Sequence, residues 1–269
     1  MTMDTDQSSP SLRVVLWSAP RCMSSVFERS IRELQDVKVI YEPHQKAYYY
    51  GPERKSDSNY PPPSELDPAA TFQAADEKFL QPYEGYRAVF IKTHAYFVEG
   101  NYEYYTKGRF SHMKHTFLIR NPNKSIPSLI KARKLCDFSN TGDDNGIEQL
   151  YNMYKTVQLV CPSPVVIDAD DLLANPRDMM ERYCSATGLP FRETMLTWTP
   201  EIVSDWTEFT YYNVWHGTAM MSSGFIKPNC SASATEVSHP REVEDFIQCA
   251  LPFYEAMYAV RMKPHLSNP

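Results

Sequence analysis

Five short runs, apolar at nearly every position, constrain this chain more than any other feature: residues 13–18 (RVVLWS), 37–41 (VKVIY), 87–92 (RAVFIK), 115–120 (HTFLIR) and 164–168 (PVVID). A strand with one face in water alternates apolar and polar residues; these do not, so both of their faces must be covered. The segments between them are longer and of helical period. In residues 24–34, for example, Val26, Phe27, Ile31 and Leu34 fall on one face. Strands joined by helical crossovers run parallel. The expectation is a three-layer α/β domain whose central parallel sheet is buried between helices. At 269 residues the chain fits a single domain, 1–269.

Further helices are predicted at 69–81, 124–134 and 147–160, and again from Asn175-Pro176 to Thr187, where Gly188 stops the last of these. A final amphipathic helix is predicted at 240–260. Residues 48–68, polar and rich in proline, read as a loop and candidate lid. Residues 195–240, rich in Trp, Tyr, Met and Ser, read as a C-terminal cap, and about 1–11 as a disordered tail.

Composition narrows the partners. No apolar run approaches the roughly 20 residues of a membrane span, and mean hydropathy is −0.48. The polar N-terminus has no apolar core of a signal peptide, so a cytoplasmic protein is expected. Six cysteines without a CxxC pair then read as free, mostly packing thiols. A net charge of −6 disfavours a nucleic-acid face. It leaves room for a small anionic ligand, because a pocket's field depends on its own few residues. A homodimer is left open.

Two strand ends carry chemistry. After the first strand comes Ser18-Ala19-Pro20-Arg21-Cys22-Met23-Ser24-Ser25, a loop that opens a helix. Such a loop offers free backbone N–H groups and the positive end of a helix dipole to an anion. Arg21 adds a bidentate donor, and Ser24 and Ser25 add hydroxyls. The glycines and lysine of a Walker A loop are missing. After the fourth strand comes Arg120-Asn121-Pro122-Asn123-Lys124-Ser125-Ile126-Pro127-Ser128. If 123 onward is helical, Ser128 returns toward the strand end, where a phosphate could bridge it and Arg120.

These two elements resemble the sulfotransferases that use 3′-phosphoadenosine 5′-phosphosulfate (PAPS). APRCMSS looks like their 5′-phosphosulfate loop, and RNPNKSIPS like their 3′-phosphate motif, RNPxDxxxS. LWSAPRCMSSVFERS followed by YEPH is closer still to members that begin W-x-x-P-R-x-x-S-[ST] with an E-P pair after strand two. VIDADDLLANP, a helix and GLPF are similar to the family's third landmark. The resemblance covers roughly residues 13–195 and implies a P-loop-type α/β/α fold. It also implies a sulfuryl transfer from PAPS to a hydroxyl or amine of a small molecule, releasing 3′,5′-adenosine bisphosphate (PAP) without a metal.

Carried over by position, Arg21, Cys22, Met23, Ser24 and Ser25 would hold the 5′-phosphosulfate, and Arg120 and Ser128 the 3′-phosphate. Three departures stand out. The family loop usually has Gly where Met23 stands, which ties its geometry to the φ that Met23 adopts. Lys124 replaces the Asp of RNPxD. The late RKGxxGxW motif is missing, and the nearest stretch that could cover the nucleotide is 222–227, with Ser223 and Lys227.

Transfer needs a base for the acceptor proton. His94, in Lys92-Thr93-His94, matches the KTH of cytosolic sulfotransferases, where the histidine is the base; Glu42 matches branches that use a glutamate after strand two. His94 is favoured for its ordinary pKa, with Glu42 orienting or replacing it, since Glu42 would need burial to raise its own. Lys92 and Arg21 are candidates for stabilising the leaving phosphate. Two rival readings are a P-loop nucleotide kinase, with Asp168 as its acidic strand end, and a member that binds nucleotide without turnover. His112 and His115 have metal-like spacing but no third ligand nearby, so no metal is expected.

Overall fold

The computed structural model describes residues 12–56, 65–136, 145–226 and 239–265. Its sheet has five strands: β1 (Leu12–Ser18), β2 (Val37–Tyr41), β3 (Ala88–His94), β4 (Lys114–Ile119) and β5 (Val165–Asp168). They lie in the order β2-β3-β1-β4-β5, all parallel. The register sets Ser18 beside His94 and Tyr41 beside Lys92. The ends of β1, β2 and β3 therefore form one edge, and Glu42 extends it by donating its N–H to the Lys92 carbonyl at 2.7 Å. The connection after β1 runs toward β2 and the one after its neighbour β4 toward β5, in opposite directions across the sheet. That switch point is where ligands of open α/β folds bind.

The helices are α1 (Ser24–Arg32), α2 (Gln45–Tyr50), α3 (Phe72–Leu80), α4 (Pro122–Leu135), α5 (Ile147–Gln158), α6 (Ala169–Ala174), α7 (Pro176–Thr187), α8 (Tyr212–Met220) and α9 (Arg241–Ala259). Phe90 is paired with Val14 and Phe117 with Trp17, so the two phenylalanines point to opposite faces. Phe90 stacks on Phe27 of α1, which meets Tyr183 of α7 at 4.9 Å. Phe117 meets Tyr154 of α5 at 5.4 Å. Helices thus cover both faces, as strands without alternation require, and the predicted face of α1 (Val26, Phe27, Ile31) is buried.

Three expectations are corrected. β3 runs through Thr93 and His94 instead of stopping at Lys92, because both residues are buried against β1. The loop placed at 48–68 begins as helix: Tyr48 and Tyr49 belong to α2, and their rings pack on Tyr96 and Phe97. Tertiary packing of an aromatic run outweighs its polar flank. The middle of that candidate lid, 57–64, lies outside the described residues, as do the tail at 1–11, residues 137–144 and part of the cap, 227–238. The third correction is α6, an unforeseen turn between β5 and α7; Asp168 caps it by accepting the N–H groups of Asp170 and Asp171 at 2.9 and 3.2 Å.

Gly146, at the start of α5, sits directly against the first strand-end loop. Its φ is +76°, and a Cβ there would lie 3.0 Å from Pro20 and 3.2 Å from Tyr96. Gly146→Ala is expected to cost roughly 1–3 kcal/mol in urea unfolding. An unchanged midpoint would show that the loop yields freely at Pro20.

Candidate active site

The residues after β1 turn into α1 through two left-handed positions, Arg21 at φ 63° and Met23 at φ 67°. Met23 therefore adopts a left-handed backbone that glycine would take freely, at a cost of order 1–2 kcal/mol. Successive left- and right-handed residues fold backbone N–H groups into an anion-binding concavity at the helix N-terminus. No side chain caps α1. Among the described residues only four non-glycine residues have positive φ: Arg21, Met23, Glu42 and Tyr211. The first three line one cavity of about 680 Å³.

Arg21 ties the two predicted phosphate loops together. Its Nε donates to Ser128 Oγ at 3.0 Å, and its carbonyl accepts from Arg120 at 2.9 Å. Asn121 caps α4, whose first residue is Pro122, so Ser128 is carried back toward the end of β4. Burial and the neighbouring Arg120 both lower the Arg21 pKa. No carboxylate among the described residues pairs with either guanidinium, and the buried Nε of Arg120 has no partner. Two adjacent, partly buried cations facing a cavity favour an anion between them. Arg133, one helical turn beyond Leu129, lines the same wall.

At the opposite wall, Glu42, Lys92 and His94 converge, each less than a tenth exposed. Lys92 Nζ is ion-paired with Glu42 Oε1, and the same oxygen lies 3.0 Å from His94 Nε2. The Lys92 ammonium also sits 4.9 Å from the Tyr41 ring centre. His94 Nδ1 faces Ser18 twice, the carbonyl at 3.2 Å and Oγ at 3.0 Å. Burial alone would push the Glu42 carboxyl up, but Lys92 and His94 reverse this and hold it far below the usual carboxylate range.

The cap closes over this cavity and contributes a residue that sequence reasoning missed. His216 of α8 is buried, with Nδ1 2.9 Å from Ser25 Oγ and Nε2 2.9 Å from the Tyr41 hydroxyl. Trp206 stacks on its ring at 4.9 Å. Arg21 reaches the same helix, donating to the Trp215 carbonyl at 3.0 Å. The cap is anchored on α1, where Trp206 Nε1 donates to buried Glu28, itself paired with Arg32. One histidine in an aromatic-rich stretch gives no signal of such a position.

Other expected residues fall in different places. Ser24 and Ser25 line the cavity. The Cys22 side chain is turned into the core, where burial pushes its pKa up to about 12, so only its backbone can serve a ligand. Ser222 and Gly224 line the cavity, while the Ser223 carbonyl between them accepts from Trp198 N–H at 3.2 Å. Lys227 lies outside the described residues. Asp168 is buried, caps α6 and accepts from the Tyr254 hydroxyl at 3.0 Å; it does not line the cavity, where a kinase would need it. His115 Nδ1 accepts from Trp17 Nε1 at 3.0 Å, which engages that nitrogen within the core.

A sulfotransferase-domain family model matches residues 87–261, and the chain belongs to that family. The matched stretch holds Lys92, His94, Arg120, Ser128 and His216. A branched-chain-amino-acid aminotransferase-like protein 2 from Arabidopsis thaliana is 24% identical over 250 residues, covering 90% of this chain and 40% of the relative. The similarly named protein 1 is 26% identical over 144 residues, covering 54% of this chain and 24% of its own length. The chain thus spans two fifths or less of these relatives. Among solved structures, a sulfotransferase from Alicyclobacillus acidocaldarius aligns over 79% of this chain and 96% of its own, at 15% identity and a TM-score of 0.49. A retinol dehydratase in complex with androsterone and inactive cofactor PAP aligns over 98% and 84%, at 14% identity and 0.45. Likenesses this distant say nothing about individual site residues. Among the described residues no helix is long and apolar enough to cross a membrane, and no three potential metal ligands cluster.

Burial lowers the pKa of three histidines: His44, His115 (to about 4) and His216 (to about 3), against an ordinary 6.5. The unfolded chain binds protons at these positions below pH 6.5 and the folded chain does not, so stability falls as pH drops from 6.5 toward 4. Glu42, with its pKa depressed, keeps its contribution until below the ordinary carboxylate value of 4.5. Unfolding free energies from urea titrations between pH 7 and 4.5 should fall by up to about 1.4 kcal/mol per pH unit per histidine. A flat profile would mean that these rings are charged in the folded protein.

Proposed function

We propose that this chain transfers a sulfuryl group from PAPS to a hydroxyl or amine of a small-molecule acceptor. The observation that carries this reading is the pair of guanidiniums, Arg21 and Arg120, without carboxylate partners at a strained helix N-terminus. In this reading the backbone of Arg21–Ser25 and the hydroxyls of Ser24 and Ser25 hold the 5′-phosphosulfate. Arg120 and Ser128 hold the 3′-phosphate, joined by Arg133. The donor supplies a sulfuryl group on a phosphate oxygen, a leaving group that must accept negative charge.

His94 is the acceptor's base. In the resting ring Nε2–H donates to the Glu42 carboxylate 3.0 Å away and Nδ1 accepts from Ser18 Oγ–H at 3.0 Å; the proton of the acceptor hydroxyl goes to this His94–Glu42 pair, whose carboxylate stabilises the imidazolium. Glu42 itself is a weak base, because Lys92 holds its charge in place. Lys92 is thereby committed to Glu42, which leaves Arg21 and the α1 N-terminus to stabilise charge on the departing phosphate. Tyr49, Tyr50, Tyr96 and Phe209 line the cavity beyond His94 and form the acceptor wall. The unit that acts is the whole of 1–269, with 195–240 as its acceptor cap. The burial of Asp168 away from the cavity and the glycine-less loop both weigh against a magnesium-dependent kinase.

The test is calorimetric titration with PAP beside ATP and 5′-AMP, without metal. Micromolar binding of PAP alone is expected, and Arg120→Gln should weaken it about 10–100-fold, the range of a lost charge-assisted contact. Preference for ATP with magnesium, or silence toward all three, would overturn the reading. Once an acceptor turns over, His94→Ala should lose about 100-fold or more in rate, and Glu42→Gln less. The reverse order would make Glu42 the base.

A further inference from the structure

The apolar interior is divided into two clusters. The larger wraps the sheet and takes in Ala19 and Cys22 of the donor loop; the smaller joins Val26 of α1 to Trp198, Val203, Trp206, Ala219 and Met220 of the cap. Among the described residues, Met23 and Phe225 are the partly buried side chains that pack against both. Phe225 comes from the cap, where its ring meets Trp198 edge-on at 5.4 Å and Gly224 bridges to Thr197. Met23 comes from the donor loop itself. It lines the cavity, and its carbonyl accepts the N–H of Phe27 at 3.1 Å in the first turn of α1.

Position 23 has a φ of 67°, which glycine adopts freely and methionine does not. What methionine adds is reach, an unbranched thioether chain that fills the gap between two irregular surfaces. Strain of this kind persists where the surroundings over-determine it. The other contacts between cap and α1 fall into two sets. Trp206 to Glu28, Asp205 to Arg32 and the Thr199 carbonyl to Arg29 lie farther along the helix, at 3.1, 2.6 and 3.2 Å. Ser25 to His216 and Arg21 to the Trp215 carbonyl lie at the loop, but this hydroxyl and guanidinium are groups that an incoming anion draws to itself. An apolar contact is not drawn away, so Met23 still ties the loop to the cap when the loop is occupied.

We propose that Met23 is a positioning residue that holds α8 and residues 222–226 over the donor loop and so retains the ligand seated there. Retention rests on the donor reading above; the tie between loop and cap does not. The two demands on position 23 oppose each other. For the turn alone glycine is the better residue, whereas for the tie it is the worse one.

The experiment compares the full wild-type chain with Met23→Gly, Met23→Asn and Met23→Leu, by hydrogen exchange with mass spectrometry and by stopped-flow release of PAP. Glycine and asparagine both accept a left-handed backbone, and neither has the apolar reach of methionine. Amides of α8, 212–220, should exchange about tenfold faster in both for the lost apolar burial, while β1 and β3 stay protected as in the wild type. PAP should leave both variants about tenfold faster. Met23→Leu keeps an apolar chain of similar volume and should recover most of the protection and of the residence time. Unchanged protection of α8 in the glycine and asparagine variants, or PAP release as slow as in the wild type, would overturn the proposal. So would a leucine variant no better than glycine, or an equal loss of protection across β1 and β3, which would make Met23 a support of the whole fold. Absence of heat with PAP in the wild type would overturn the donor reading and retention with it, and exchange of α8 would still decide the tie.

Discussion

A lysine and a glutamate with almost no access to water face each other at the C-terminal edge of the sheet, and neither could remain charged there without the other. Removing an ammonium or a carboxylate from water costs several kcal/mol even after relaxation, so each ion depends on its partner and on further hydrogen bonds. Lys92 is brought to Glu42 by the ladder register of β2 and β3, and Tyr41, opposite Lys92, adds its ring face. The third partner, His94, extends β3 by two residues past the expected end. This edge therefore fixes the charge state of Glu42, the orientation of His94 and the position of Tyr41 together.

The opposite wall is built on the reverse principle. Arg21 and Arg120 are two like charges held side by side by main-chain and hydroxyl contacts, with no anion from the described chain between them. Holding them so costs stability, as do the left-handed backbones of Arg21 and Met23. A fold keeps such features where a ligand will relieve them. One wall has its charges matched internally and the other does not, so on the proposed reading the phosphates of the donor go to the second. The small net negative charge of the chain does not oppose this, because burial isolates the local field from the surface.

Much of this was legible in the sequence. Apolar runs without alternation require burial on both faces, so the parallel sheet and its helical layers could be read from the five segments directly. The strand-end loops were legible as candidates because an Arg-containing turn opens a Ser-led helix there, and the structure brings Arg21 and Arg120 to one cavity. What could not be read depends on tertiary packing. α2 forms from residues that look like a loop because Tyr48 and Tyr49 find Tyr96 and Phe97. The conformation of Met23 could not be inferred, since nothing local favours a left-handed methionine. The role of Lys92 as partner of Glu42, more than of a phosphate, follows from a register that only the assembled sheet supplies.

The cap is the least legible part, and its reason is geometric. His216 lies about 190 residues from Ser25 and 175 from Tyr41 in sequence, and no local pattern encodes a contact at that range. Its place is set by Glu28, Arg32 and Trp206, which bind the cap to the very helix whose N-terminus forms the donor loop. Any shift of α1 on binding an anion is therefore felt by the cap, and any shift of α8 is felt by Ser25 and by Arg21 through the Trp215 carbonyl. The donor loop, the base edge and the acceptor lid are thus parts of one hydrogen-bonded assembly. On the proposed reading, in which the cap selects the acceptor, acceptor choice and donor binding are therefore mechanically coupled.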